Sequence, residues 1–185
     1  PSRMVYSRQD SMTSTTKRHP ARMRGRIGCD AHGRITGLAF EGVFNTGAYS
    51  SWGPTVANRV PVHVSGPYLT PAIIATARAI HTHGPVSGAF RGFGVPQGAL
   101  WQETLYDRLA DKAGIDRLEF RSLNGGRDGE GSATGQAGRA VGIGDCLRAL
   151  RPHWTHDLDD PQGVAGRGVG VAACWYGRGN GALRD

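Results

Sequence analysis

Ser87-Gly88-Ala89-Phe90-Arg91-Gly92-Phe93-Gly94-Val95-Pro96-Gln97 sets three glycines, two aromatic rings and one arginine together, and an amphipathic helical pattern follows at once. Glycines at this spacing let backbone N–H groups come close to a ligand. The arginine between them adds a fork of donors suited to phosphate or carboxylate. From Gln97 to Gly114 the chain carries Leu100, Trp101, Leu105, Leu109 and Ala113 at helical spacing. This predicts a helix that buries that stripe and packs its aromatics into the core. Pro96 fits the start of the helix and Gly114 its C-terminal cap. The loop therefore runs into a helix N-terminus, whose free N–H groups and positive dipole end favour anions. It reads as the ligand-facing loop of the chain.

Upstream, the chain reads as a hairpin followed by a helix and a strand. Arg22 to Cys29 alternates in part, Asp30-Ala31-His32-Gly33 is a turn, and Arg34 to Phe44 is a second β-favouring run. Asn45-Thr46-Gly47-Ala48-Tyr49 opens a loop that lasts to Gly53-Pro54. Thr55 is placed to cap a short helix over Val56 to His63, which Pro61 limits. Arg59 lies in that helix among Val56, Ala57, Val60 and Val62. Pattern alone leaves two readings for it, a solvated face residue or an inward-pointing anion binder. Ala72 to Ile80 is apolar and too short between Pro71 and the His81–Pro85 turn for much of a helix, so it reads as a strand. His81 and His83 share one side of such a strand, but no third ligand accompanies them. Residues 1–19 are polar and rich in Ser and Thr, and read as an extended lead-in. His19 reads there as a surface or structural histidine.

Downstream, Asp116 caps a second short helix through Leu118, Phe120 and Leu123. Residues 125–142 are a Gly-rich polar surface loop, Ile143 to Leu150 is a short amphipathic helix, and Thr155 to Gly166 is a polar linker. Val169 to Tyr176 has the composition of a buried strand and runs into a turn at Gly177-Arg178-Gly179-Asn180. Helices and strands thus share the chain without strict alternation. The fold class is α+β, with mixed sheets and packed helices. A sub-boundary is expected near 125–142 or 155–166.

A chain of 185 residues is long enough to bury a domain-sized core. Its opening at Pro1-Ser2-Arg3 and its last residues, Gly181 to Asp185, read as an internal piece of something longer. The net charge of +7 fits solubility and partner subunits, or anionic ligands. It fits nucleic acid less well, because the arginines are scattered rather than striped. Cys29, Cys146 and Cys174 are far apart and form no metal-ligand spacing, so a reducing compartment is expected. No apolar run reaches membrane-spanning length and no secretory or twin-arginine signal is visible. A cytoplasmic location follows as the expectation, with the periplasm as the alternative for a chain whose true termini lie elsewhere.

The segment Gly88 to Gln97 resembles the molybdenum-hydroxylase family, the xanthine dehydrogenase and aldehyde oxidoreductase group, in its molybdopterin-binding large subunit. Asn45-Thr46-Gly47-Ala48-Tyr49, Pro67-Tyr68-x-x-Pro71 and Phe120-Arg121-x-x-Asn124 also resemble recurring family segments, in the right order. The resemblance covers nearly the whole chain. It implies that residues 1–185 are an internal fragment of the molybdenum-cofactor-binding region, with Ala89, Phe90, Arg91 and Gly92 beside the cofactor. Phe93 resembles the aromatic that packs on the substrate ring. Arg59, 32 positions before Arg91, matches the arginine that binds purine substrates in xanthine dehydrogenases. Carbon monoxide dehydrogenases resemble the chain too, but hold copper on a cysteine in this loop; here there is Gly92 and no cysteine.

The resemblance also implies what other segments supply. The base glutamate is expected beyond residue 185, and the Gly-rich cofactor segment and a second substrate-facing glutamate before residue 1. No catalytic residue of the family therefore falls in this stretch, and no residue in it is expected to ligate the metal. [2Fe–2S] clusters, and FAD in some members, are expected in other domains or subunits of an oligomer. The intact enzyme would hydroxylate a carbon next to nitrogen or oxygen, with water as oxygen source. The fragment alone is expected to be inactive. Arg59 and Phe93 point to a purine or other N-heterocycle as the small-molecule substrate. An aldehyde is the alternative within the family. A non-catalytic basic binding module is the alternative of another class, and it leaves the loop unexplained.

Overall fold

A computed structural model describes residues 1–159 and 168–177, with the side chains of residues 156–159 outside the description. The centre is a three-stranded mixed sheet in the order β1 (Ala21–Cys29), β2 (Ile35–Gly47), β3 (Ile73–His81). β1 and β2 form the expected antiparallel hairpin, with Ala21 opposite Phe44 and Ile27 opposite Leu38. Its turn is tied by Asp30, whose Oδ1 accepts the N–H groups of His32 and Arg34, both at 2.9 Å. β3 pairs parallel to β2, Phe40 opposite Ala75 and Phe44 opposite Ala79. A parallel neighbour requires a crossover, and α2 (Gly53–His63) supplies it.

One face of the sheet is covered and the other is open. Leu38, Phe40 and Phe44 on β2 bury against Ala57, Val60 and Val64 of α2 and its exit, with Trp101 edge-on to Phe40 at 4.9 Å between ring centroids. The alternate positions carry the open face, where Arg24 and Glu41 pair at 2.9 Å. A second core holds Ile35, Tyr68, Tyr106, Ala110 and Phe120, where α3 (Val95–Ala113) meets α4 (Arg117–Asn124). The class is the α+β arrangement read from the sequence.

Six details differ from expectation. The lead-in contains a helix, α1 (Arg8–Ser14), because Ser7 accepts the Asp10 N–H and the Asp10 side chain accepts the Ser7 N–H. β2 continues through Asn45 to Gly47 before the loop begins. α2 starts at Gly53 rather than after Thr55, with Trp52 at its cap and a proline in its first turn, and it runs through Pro61 to end at His63. A proline this close to the helix end removes a single N–H donor.

On α3 the stripe is turned. Leu100 is 69% exposed and Ala113 is exposed, whereas Gln102, Glu103, Tyr106 and Ala110 are buried. The aromatics Trp101 and Tyr106 do pack inward, but the buried face is half polar, because it meets a buried arginine of α4. Finally, α5 (Ile143–Asp159) passes Leu150 and takes in the first residues of the expected linker, with Pro152 inside it. The rest of that linker lies outside the described residues. Residues 168–177 form no strand: they alternate half-buried and exposed, and no β-ladder partner adjoins them among the described residues. The apolar composition there serves docking on one side only. Residues 178–180 of the expected turn lie outside the description.

The cap of α4 is as expected: Asp116 Oδ1 accepts the Glu119 N–H at 2.9 Å, and Oδ2 accepts the Trp154 Nε1–H at 2.8 Å. Asp116→Ala is expected to cost about 1–2 kcal/mol of stability, and Asp116→Asn a small fraction of that. Chemical denaturation of both variants checks this; equal losses would place the effect elsewhere. Gly114 sits in the left-handed region at φ 68° and closes α3, its N–H directed to the carbonyls of Ala110 and Asp111. Residues 125–142 carry no helix or strand, in keeping with a surface loop. Cys29 is half-buried, Cys146 and Cys174 are exposed, and all three are free. Among the described residues, no helix is long and apolar enough to cross a membrane.

Candidate functional site

The glycine-rich stretch is a tight turn that delivers the chain into α3. Residues 91–94 form the turn, closed by Phe93 N–H to the Phe90 carbonyl at 2.8 Å and Val95 N–H to the Gly92 carbonyl at 2.9 Å. Three successive residues take positive φ: Gly92 at 85°, Phe93 at 46° and Gly94 at 94°. For Phe93 this is uncommon and costs energy, so the surrounding packing must impose it. The packing is visible. The Phe93 ring meets Trp52 edge-on at 6.3 Å between centroids, and Gly94 lies against α2 so closely that a Cβ there would sit 2.6 Å from the Val56 carbonyl oxygen.

This turn presents donors outward. Ala89, Phe90 and Arg91 are exposed, Phe90 by 46%. Among the described residues, the N–H groups of Ala89, Phe90, Arg91 and Gly92 donate to no protein acceptor. The ion pairs of the described residues use Arg24, Arg117, Arg121, Arg148 and Arg151, and not Arg91. Unused N–H groups and an uncommitted guanidinium immediately precede the start of a 19-residue helix. That set of donors fits a polyoxygenated anionic group and offers nothing to a cation. It fits the phosphate-bearing, oxygen-rich cofactor that the sequence resemblance implies.

Sequence reading missed the residues that brace this turn from behind. Lys17 pairs parallel with Ser87, its N–H donating to the Val86 carbonyl at 2.9 Å while the Gly88 N–H donates to the Lys17 carbonyl at 3.1 Å. The next residue, Arg18, donates from Nη2 to the Arg91 carbonyl at 2.6 Å and lies 4.7 Å over the Phe90 ring. Gln97 Nε2 reaches the His19 carbonyl at 3.4 Å. His19 is 3% exposed and structural, its ring held below the usual histidine pKa by burial. Arg18 and Arg91 are 73 positions apart, so no local motif could have linked them.

Arg59 faces another way. It is 6% exposed, its Nη2 donates to the Gly177 carbonyl at 2.8 Å, and its guanidinium lies 5.3 Å over the Tyr176 ring. Beside it, His63 Nδ1–H donates to the Arg59 carbonyl at 3.0 Å and Nε2 accepts the Gly177 N–H at 3.2 Å. Burial lowers the pKa of the His63 ring. Phe93 and Arg59 therefore share α2 as a wall: Phe93 meets its N-terminal end, and Arg59 binds the 175–177 segment from the adjoining face. His81 ends β3, with His83 exposed beyond it, and no group of three potential ligands for a metal occurs among the described residues.

A family model described as the molybdopterin cofactor-binding domain matches residues 1–125. The nicotinate dehydrogenase large molybdopterin subunit of Eubacterium barkeri is 41% identical over 152 residues, 82% of this chain and 36% of its own length. The xanthine dehydrogenase molybdenum-binding subunit of Escherichia coli O157:H7 is 31% identical over 182 residues, 95% of this chain and 24% of its own. Among solved structures, the aldehyde oxidoreductase of Desulfovibrio gigas superposes with a TM-score of 0.82 at 30% identity, covering 85% of this chain and 17% of that one. The chain thus spans about a third or less of each.

Proposed function

This chain belongs to the molybdopterin cofactor-binding domain family, and from that premise we propose that it is the cofactor-facing portion of a molybdenum-dependent oxidoreductase acting on an N-heterocycle. The observation that carries the reading is the turn itself, with the unused N–H groups of residues 89–92 beside the unpaired Arg91 side chain. Ala89, Phe90, Arg91 and Gly92 hold the cofactor in this reading, through backbone donors and one guanidinium. When bound, the cofactor supplies a two-electron oxidation of a carbon with water as the oxygen source. The chain's own residues bind it, fix its orientation and shape the cavity beside it. Iron–sulfur domains, and a flavin domain or subunit, then carry the electrons away. The base glutamate belongs to another part of the polypeptide.

Two residues point to the substrate class. The Phe93 ring is held by Trp52 in a strained conformation that a plain packing residue does not need. Arg59 is a buried guanidinium centred 5.3 Å over the Tyr176 ring, and a guanidinium suits a planar, electron-rich or anionic partner. The relative that acts on nicotinate, an anionic N-heterocycle, supports this choice. Arg59→Met in the full-length enzyme is expected to lower kcat/KM on an oxo-purine or nicotinate about 10–100-fold, and on benzaldehyde only a few-fold. Equal losses would remove Arg59 from the substrate site.

An aldehyde is the second reading, favoured by the 0.82 TM-score to an aldehyde oxidoreductase. Molybdenum content and turnover of nicotinate, xanthine and benzaldehyde by the purified full-length protein test the proposal as a whole. Stoichiometric molybdenum with heterocycle turnover supports it, and benzaldehyde turnover alone selects the second reading. Metal-free protein that binds RNA in a salt-sensitive way would replace both with a basic binding module.

A further inference from the structure

We propose that Arg18 is a positioning residue for the cofactor-facing turn, which holds the Arg91 carbonyl and the Phe90 ring and so fixes the direction in which residues 89–92 present their N–H groups. The inference rests on the reading of that turn as the cofactor-binding loop. Its grounds are geometric. A peptide unit has one plane, so anchoring the Arg91 carbonyl orients the Gly92 N–H that shares that plane. The anchor is a charge-assisted bond of 2.6 Å from Arg18 Nη2, the strong kind. The same guanidinium lies 4.7 Å over the Phe90 ring, and its Nη1 reaches Gln97 Oε1 at 3.4 Å, in the first turn of α3. One planar group thus touches Phe90 and Arg91 ahead of the positive-φ run and Gln97 beyond it.

The arm that carries Arg18 is itself fixed. The Lys17–Ser87 bridge sets its register against the loop, and Lys17 Nζ donates to the carbonyls of Ser11 and Thr15 and to Thr15 Oγ1. His19 on the other side is buried. Arg18 is therefore presented from a rigid strand-like segment rather than from a loose tail. The Arg91 side chain, by contrast, is exposed and takes part in none of the ion pairs above. The two arginines divide the work: Arg91 faces the ligand, and Arg18 holds the backbone of Arg91.

The test uses the full-length protein with Arg18→Met and Arg18→Lys, read by hydrogen exchange and by molybdenum content. In Arg18→Met, the amides of Phe93 and Val95 should exchange about tenfold faster, while those of α4 keep their rates. Molybdenum per protein should fall at least threefold. Lys keeps one donor but loses the fork and the stack, so Arg18→Lys should lie between the two. Unchanged exchange in the turn, or a general acceleration across β2 and α4, overturns the proposal, because a residue that only supports folding would not act locally. Wild-type protein without molybdenum would instead overturn the cofactor reading, and the exchange comparison would still decide whether Arg18 orders the turn.

Discussion

Arg121→Met is expected to destabilise the protein by about 3–5 kcal/mol, because it leaves a buried carboxylate without its cation. Arg121 is fully buried on α4. Its Nε donates to Glu103 Oε2 at 2.8 Å, its Nη2 meets Asp107 Oδ1 at 2.8 Å, and its Nη1 donates to the Arg117 carbonyl at 3.0 Å. Glu103 also accepts from the Tyr68 hydroxyl at 3.0 Å and from Gln102 Nε2 at 2.6 Å. The network ties α3, α4 and the segment around Tyr68 into one body, on which the turn at residues 91–94 is built.

The pH dependence gives the prediction a second handle. Burial pushes the Glu103 pKa above the usual carboxylate range, and Arg121 opposes that shift. Without Arg121 the opposition is gone and the folded-state pKa rises further. The folded variant then binds a proton that the unfolded chain has released. Stability is retained below the unfolded pKa and lost as pH rises through the folded one. The gap between variant and wild type in urea denaturation should therefore be smaller at about pH 5 than at about pH 8. Glu103→Gln added to Arg121→Met should recover part of the loss at the higher pH. A gap that does not change with pH would mean that the cost comes from packing rather than from the stranded charge.

The same residues show what the sequence could and could not disclose. The hairpin, the strand over residues 73–81 and the caps of α3 and α4 were legible because local chemistry dictates them: an Asp-Gly turn, a short apolar run, an Asp before a helix, a Gly after one. Phe120-Arg121-x-x-Asn124 was legible as a family segment but not as physics. The fold supplies the reason. Arg121 neutralises Glu103, and Asn124 clamps the hairpin, accepting the Ile35 N–H at 2.8 Å and donating to the Gly33 carbonyl at 2.9 Å. Both partners lie far away in the chain.

The turned stripe of α3 has the same cause. Hydrophobic spacing finds a buried face when that face is apolar, and here the buried face is organised around a charged network. The turn and its Arg91 were legible from glycine and arginine alone. Arg18 was not, because a parallel bridge between Lys17 and Ser87 brings it there. Val169 to Tyr176 has the composition of a buried strand but forms none, because composition reports only a preference for burial. It does not report whether a ladder partner exists.

Gly94→Ala should be a severely damaging single-methyl addition, costing about 2–4 kcal/mol and most of the bound cofactor. Two independent effects combine at this position. The backbone stands at φ 94° and ψ −26°, which alanine adopts only with strain, and a Cβ would lie 2.6 Å from the Val56 carbonyl oxygen and 3.1 Å from Val60 Cγ2. The carbonyl belongs to the body of α2 and cannot swing aside as a side-chain tip would. Relief must come from the turn, and moving Gly94 moves Phe93 and Gly92, the residues that the proposed function assigns to substrate and cofactor. Gly114→Ala is the control. It also has positive φ, at 68°, but nothing lies within 4 Å of its Cβ, so it should cost only about 1 kcal/mol and leave molybdenum content unchanged. The difference between the two variants isolates the contact with α2 from backbone strain common to both. If the two cost the same and both keep their molybdenum, then α2 does not press the turn into shape, and the strained Phe93 needs another cause.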